Sequence, residues 1–174
     1  MPRRRGSRQL AAVLVGIWGM IALMAVSAGS LPSPSEKTIL TISGKIDATN
    51  KDDTAQFDRA MLEALGTVSM ETTTPWHQGR QRFEGVSLAK LMNYVGAKGE
   101  YVVAIALNDY VTEIPLRDFV EHGPILAMKR NGEYMPVRDK GPLFIMYPLD
   151  SKPELQRQLY YGRCAWQVAK LVVK

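Results

Sequence analysis

The residue types able to do chemistry gather in three short stretches. Met70-Glu71-Thr72-Thr73-Thr74-Pro75-Trp76-His77-Gln78-Gly79 sets three threonines ahead of a tryptophan that follows a proline. Threonine hydroxyls both donate and accept hydrogen bonds, and an indole offers a flat face for stacking, so the combination suits a planar polar heterocycle. The same segment also reads as a β-rich stretch whose Trp76 plugs one end of the core. Asn108-Asp109-Tyr110 sits at the turn after an apolar strand, a place where loops on a rigid scaffold carry function. Asp109 there reads equally as the residue of an Asx turn. Arg163 and Trp166-Gln167 stand at the start of the last strand, either as part of a site or as a solvated arginine over a core tryptophan.

Other chemistries lack their residues. The two histidines, His77 and His122, are far apart in sequence, and no His-x-x-x-His, Cys-x-x-Cys or run of carboxylates offers metal-ligand spacing. The single cysteine, Cys164, lies beside Ala165 and Trp166, where a buried, inert thiol is the ordinary reading. A Gly-rich phosphate loop and a Gly-x-Ser-x-Gly elbow are both missing.

The elements that must position these stretches follow from periodicity and turn signals. Thr38 to Ser43 is β-branched and stops at Gly44, which predicts an opening strand. From Thr54 to Leu65, Phe57, Ala60, Met61, Ala64 and Leu65 recur at helical spacing, which predicts a helix capped by Asp53 and closed by Gly66. Ser87 opens a second helix with Leu88, Leu91, Met92 and Val95 on one face and Gly96 at its end. Ser69 to Gly85 is the most polar and least regular stretch. Tyr101 to Leu107 predicts a strand covered on both faces, Asp109 to Ile114 the next strand, and Pro115 to Glu121 a short helix. Asn131-Gly132 between Ile125–Met128 and Glu133–Val137 is a hairpin signal, and Leu143–Tyr147 and Trp166–Val173 supply two more strands. Strands outnumber helices, so the class is α+β with a mixed, mainly antiparallel sheet.

Charge and length bound the rest. The chain has 174 residues, room for one domain over residues 38–174, and its lone cysteine excludes a disulfide scaffold. The net charge of +5 suggests a nucleic-acid binder until its location is noted. Arg3, Arg4, Arg5 and Arg8 precede the apolar run Leu10–Ala28, the order of a basic and an apolar export region, with Val26-Ser27-Ala28 fitting a small-residue cleavage site. Without those four arginines the chain carries 18 basic and 17 acidic residues, so no nucleic-acid partner is expected. Residues 1–28 are therefore expected to be a signal peptide, or an uncleaved anchor, that delivers the domain to the periplasm. Arg4-Arg5 precedes Gly6-Ser7-Arg8 and not an apolar pair, so a folded-state export route is not indicated. Residues 29–37, rich in Ser and Pro, are expected to be a flexible linker.

Taken in order, Thr-x-Thr-Pro-Trp ending at Trp76, Phe83-Glu84-Gly85-Val86-Ser87-Leu88-x-x-Leu91, Asn108-Asp109-Tyr110, Lys129-Arg130-Asn131-Gly132, Gly141-Pro142-Leu143 and Trp166-Gln167-Val168 resemble the molybdopterin-binding domain of the sulfite oxidase fold. The resemblance covers roughly residues 38 to 173. It implies that fold, and it also marks departures. The family's enzymes bind molybdenum through a cysteine thiolate a few residues before the equivalent of Trp76, a place that falls near Thr72 here, and a hydroxyl is no substitute for a soft thiolate. Their His-Gly-x-Pro-x-Arg stretch, which helps hold the cofactor's phosphate, reads Asp139-Lys140-Gly141-Pro142-Leu143-Phe144 here.

The sequence is most similar to the exported, non-enzymatic branch of this fold, which binds free pterins and reports them to membrane proteins of cyclic di-GMP metabolism. That resemblance implies a pterin ligand, no redox cofactor, no catalytic residue and no metal. Its partner would be the periplasmic domain of an inner-membrane sensor. Under it, Asp109 accepts from the ring N–H and 2-amino donors, Trp76 supplies a stacking face, Thr72 and Thr74 meet polar edges, Arg163 donates to the carbonyl, and Tyr110 and Trp166 complete the walls. A molybdopterin-dependent oxidoreductase with an unorthodox metal site and a ligand-free interaction module are the competing readings.

Overall fold

The computed structural model describes residues 30–174. The export reading of residues 1–28 lies outside the described residues. In chain order, β1 (Leu40–Gly44) and β2 (Ala55–Phe57) lead to α1 (Arg59–Ala64), and β3 (Thr67–Thr74) and β4 (His77–Ser87) lead to α2 (Leu88–Tyr94). There follow β5 (Tyr101–Ala106), β6 (Val111–Pro115), α3 (Leu116–Glu121), β7 (Ile125–Arg130) and β8 (Glu133–Tyr134). A 3-10 turn at Val137–Asp139, β9 (Phe144–Met146), a second 3-10 turn at Pro153–Leu155, α4 (Gln158–Arg163) and β10 (Val168–Val173) complete the chain.

Two five-stranded sheets result. One runs β2-β1-β10-β5-β6, and the other runs β3-β4-β7-β8 with β9 also on β7. Only the β1–β10 pair is parallel among the described strands. The core joins Leu40, Ile42, Val102 and Leu171 of the first sheet to Phe83, Val86, Leu126 and Phe144 of the second, with Leu91 of α2 and Phe119 of α3 among them. Where β4 meets β7 the register shifts between Glu84 and Gly85, and a Cβ on Gly85 would stand 2.0 Å from the Leu126 carbonyl oxygen. The glycine of the Phe-Glu-Gly-Val-Ser motif is thus required by close backbone approach.

The α+β class with mainly antiparallel pairing holds, and so do the strand at β1, the helix capped by the Ser87 hydroxyl and the Asn131-Gly132 hairpin. In that hairpin both residues take positive φ (52° and 87°), as its turn demands. Three expectations about strands and helices are corrected. Thr54–Leu65 is not one helix: Ala55–Phe57 pairs with β1, and the helix begins only after Asp58, whose carboxylate accepts from the Met61 amide at 2.9 Å. The open edge of β1 competed for residues whose spacing also fits a helix. The irregular stretch Ser69–Gly85 is instead most of the β3–β4 hairpin, whose outer half is too exposed to show apolar alternation. β5 alternates between buried and half-buried residues, so only one of its faces is fully covered.

Residues 30–37, expected as a linker, are tied to the domain. Leu31 is buried and its amide donates to the Thr49 carbonyl, and the amides of Ser35 and Glu36 donate to Asp58. Among the described residues no helix is long and apolar enough to cross a membrane.

Candidate functional site

The β3–β4 hairpin turns at Pro75-Trp76, with Thr74 paired to His77 across the turn. A proline one residue into a two-residue turn presets the bend and swings the next side chain out of the ladder. Trp76 thereby leaves the sheet and packs among three aromatics from other elements. Its ring centroid lies 5.4 Å from Trp166, 5.8 Å from Phe144 and 6.2 Å from Tyr161, mostly in tilted or edge-to-face contact. The turn, β9, the C-terminal half of α4 and the approach to β10 thus meet at one half-buried aromatic wall.

The threonines hold this corner in shape. Thr74 Oγ1 is 2.8 Å from His77 Nδ1 and 3.4 Å from the Trp76 amide nitrogen. Thr72 is fully buried, and its hydroxyl accepts the Asp150 amide at 3.1 Å. Asp150 in turn accepts from the Thr73 amide at 2.8 Å and from its hydroxyl at 2.5 Å, bonds that hold its carboxyl below the usual carboxylate range. The Thr-Thr-Thr run therefore clamps β3 to the segment after β9. A shallow cleft of about 360 Å³ lined by Thr73, Thr74, Pro75, Leu149, Gln156 and Tyr161 adjoins the turn.

Two cations not marked as site residues by the sequence bear on this corner, Lys140 at the wall itself and Arg130 on His77 of the turn. Lys140 takes a left-handed backbone (φ 66°) and places Nζ 5.2 Å from the Trp166 ring centre. Arg130 is bound to Asp139 at 2.6 Å. Burial, then the charges of Arg130 and Lys140, disfavour protonation of His77. The readable signal was Lys129-Arg130-Asn131-Gly132: a hairpin seen for its turn also aims a basic side chain at its neighbour.

The loop residues reach the same region from the other sheet. Leu107 donates its amide to the Gln167 carbonyl, and the Tyr110 hydroxyl donates to the Gly162 carbonyl at 2.8 Å. Asp109, left-handed at φ 63°, closes the turn by donating its amide to the Ala106 carbonyl. Its side chain is exposed and makes no hydrogen bond to any described residue. Trp76 and Trp166 are thus brought together, and Tyr110 is joined to the segment between Tyr161 and Arg163. Arg163 is placed differently: its guanidinium lies 2.6 Å from Asp118, which also accepts from the Tyr147 hydroxyl at 2.9 Å. Burial and the Asp118 charge push the Tyr147 hydroxyl far above its ordinary range.

The family model of a known domain matches residues 40–149 of this chain. The chain belongs to the oxidoreductase molybdopterin-binding domain family. The matched span holds Thr72, Thr74, Trp76, Asp109 and Tyr110, while Arg163 and Trp166 lie beyond it. No curated protein matches the chain. Among solved structures, the sulfane dehydrogenase SoxCD from Paracoccus pantotrophus is similar, with a TM-score of 0.58 and 16% identity over 77% of this chain. The chain spans 37% of that chain, and at such identity the likeness is one of fold.

The residues present do not fit a thiolate-held molybdenum. Near Thr72, where the family resemblance puts the ligand, a buried hydroxyl is already engaged by the Asp150 amide. Cys164 is wholly buried after α4, and burial pushes its thiol up to about 12, so it stays protonated at neutral pH. Phe144, where the phosphate-gripping arginine would be, is fully buried in β9 against Phe83 and Trp166, so that position serves the core.

Proposed function

We propose that this molybdopterin-binding-family domain binds a free pterin in the periplasm, without molybdenum redox activity. In this reading it acts as a ligand sensor for a membrane-bound partner of cyclic di-GMP metabolism. The observation that carries the reading is the substitution at the metal's place: a hydroxyl with its hydrogen bonding spent at Thr72, and a single thiol buried and protonated elsewhere. A pterin needs neither. It needs stacking faces, which Trp76 and Trp166 offer, and a carboxylate for its adjacent ring N–H and amino donors, which Asp109 offers with both oxygens free of described partners. Lys140, held over Trp166, is a second candidate to meet a ring carbonyl. Charge-assisted hydrogen bonds contribute about 1.5–3 kcal/mol each, enough with stacking for micromolar binding.

The test is calorimetric titration of the purified chain with a reduced pterin, alongside Asp109→Ala. Wild type is expected to bind and the variant to lose at least tenfold in affinity with its melting temperature unchanged. Equal affinity in both removes Asp109 from the site, and no heat in either removes the pterin. The family's own description favours a molybdopterin-dependent oxidoreductase as the second reading. Molybdenum near unit stoichiometry in protein from its native host decides for that alternative.

A further inference from the structure

The Gln167 segment that carries the tryptophan wall has a second neighbour. Gln167 donates its side-chain amide to the Val137 carbonyl at 2.7 Å and accepts the Leu107 amide through its backbone. Val137 and Leu107 are 51% and 55% exposed, and with Ile39 and Pro142 they form the apolar lining of a groove of about 400 Å³ beside β1 and β10. From Lys170 of its lining, a cross-strand row on the outer face of the first sheet turns aliphatic on β5 and β6. Lys170 pairs with Thr41 and with Ile105, and Ile105 pairs with Val111, which is 54% exposed. Side chains directly opposite one another share a face.

The rim is basic. Lys37, Arg59 and Lys170 all line the groove, and none lies within ion-pair distance of a described carboxylate. Arg59 is held 4.3 Å from the Tyr134 ring centre, which also carries Lys129 at 4.5 Å, so its charge is fixed at this edge. In a domain with nearly balanced charge, three cations without a direct ion pair around exposed aliphatics are a local concentration, although Glu63 meets the hydroxyl of the Tyr134 on which Arg59 stacks. The three come from the lead segment, α1 and β10. Cations and exposed aliphatics lining one groove match a peptide that carries both carboxylates and aliphatic side chains.

We propose that this groove docks an acidic, aliphatic peptide segment of a protein partner, with aliphatic side chains on Leu107, Val137 and Ile39 and carboxylates on Lys37, Arg59 and Lys170. Only the partner's identity rests on the proposed function: under it the segment belongs to the periplasmic part of the sensor. The shared Gln167 wall then sets partner and ligand side by side.

The test is to pan a random twelve-residue peptide library on the folded full chain and to measure enriched peptides by fluorescence polarisation. The proteins compared are wild type, Lys37→Glu/Arg59→Glu/Lys170→Glu, and Leu107→Asp alone. Enriched peptides are expected to combine Asp or Glu with Leu, Ile or Val, to weaken with added salt, and to bind each variant at least tenfold more weakly. No enrichment, peptides without acids, or affinities unchanged in a folded variant overturn the proposal. So does binding to phosphatidylglycerol vesicles that the variants abolish while no peptide binds, which assigns the surface to a membrane. Should the triple variant fail to fold, Leu107→Asp carries the comparison. Pterin titrations of the same proteins are a separate readout, so loss of pterin binding in wild type would sink the ligand reading and leave the peptide result standing.

Discussion

Arg163 and Cys164 adjoin in sequence, yet each is decided by a different burial problem. The Arg163 and Asp118 side chains are 15% and 4% exposed, so each charge depends on the other to offset the loss of water. Arg163→Ala leaves the Asp118 carboxylate buried with only the Tyr147 hydroxyl, and the expected cost is about 3–5 kcal/mol in urea unfolding. Replacing both, as Asp118→Leu with Arg163→Met, is expected to recover most of that loss, because no charge is then stranded. If the double replacement is as unstable as Arg163→Ala, the pair is held by more than charge compensation. Arg163 also fixes the end of α4, which carries Tyr161 to Trp76 and Gly162 to Tyr110, so it shapes the candidate site through its neighbours. Cys164 has no such partner. With its thiol pushed up to about 12 and no exposed surface, it is expected to resist iodoacetamide at pH 8 in the folded chain and to react fully in guanidinium, as mass spectrometry would register. Stoichiometric labelling of the native protein contradicts that burial.

At the scale of elements, Asp58 shows what a cap can organise. One carboxylate oxygen accepts from the Met61 amide at the start of α1, and the other accepts from the amides of Ser35 and Glu36 and from the Ser35 hydroxyl. Asp58→Ala is therefore expected to cost about 1–2 kcal/mol, at the upper end for a lost cap, and to free residues 30–37 for proteolysis ahead of global unfolding. Limited trypsin digestion followed by mass spectrometry reads the order of cleavage; simultaneous loss of segment and domain counts against it. The same residue shows where sequence reading stops. Asp53 and Asp58 both precede helical spacing, and the choice between them belongs to β1, the preceding strand, which pairs with Ala55–Phe57 across the loop that joins them. Ser87, the last residue of β4, ends the strand and caps the helix at one position, so the cap was legible from the sequence. The Trp76 corner was legible as residue types, because Thr-Pro-Trp names its own turn. That Trp166 and Tyr161 would meet it was not, since their approach depends on sheet order and on α4, a helix too short and too mixed in polarity to announce itself.

For the molecule as a whole, the displaced ionisations share a sign on each side of neutrality, so stability as a function of pH is a dome. On the acid side, His77 is displaced below its ordinary 6.5 by burial and by Arg130 and Lys140, and hydrogen bonds hold Asp58 and Asp150 below their ordinary 3.8. In each case the unfolded chain binds a proton that the folded chain does not, so stability falls as pH falls, first through the histidine range and then through the carboxylate range. On the alkaline side, burial raises Cys164 from 9.0 to about 12 and raises Tyr147 above its ordinary 10.0. The folded chain then keeps protons that the unfolded chain has lost, and stability falls as pH rises past 9. Urea midpoints measured from pH 4 to 10 are expected to be highest between about 7 and 8 and to decline on both sides. In His77→Gln, which retains a side-chain partner for Thr74, the decline from pH 7 to about 5 is expected to flatten while the drop in the carboxylate range and the alkaline limb persist. An acid limb unaltered by that substitution places the early loss in another group and leaves His77 as a packing residue of the hairpin turn.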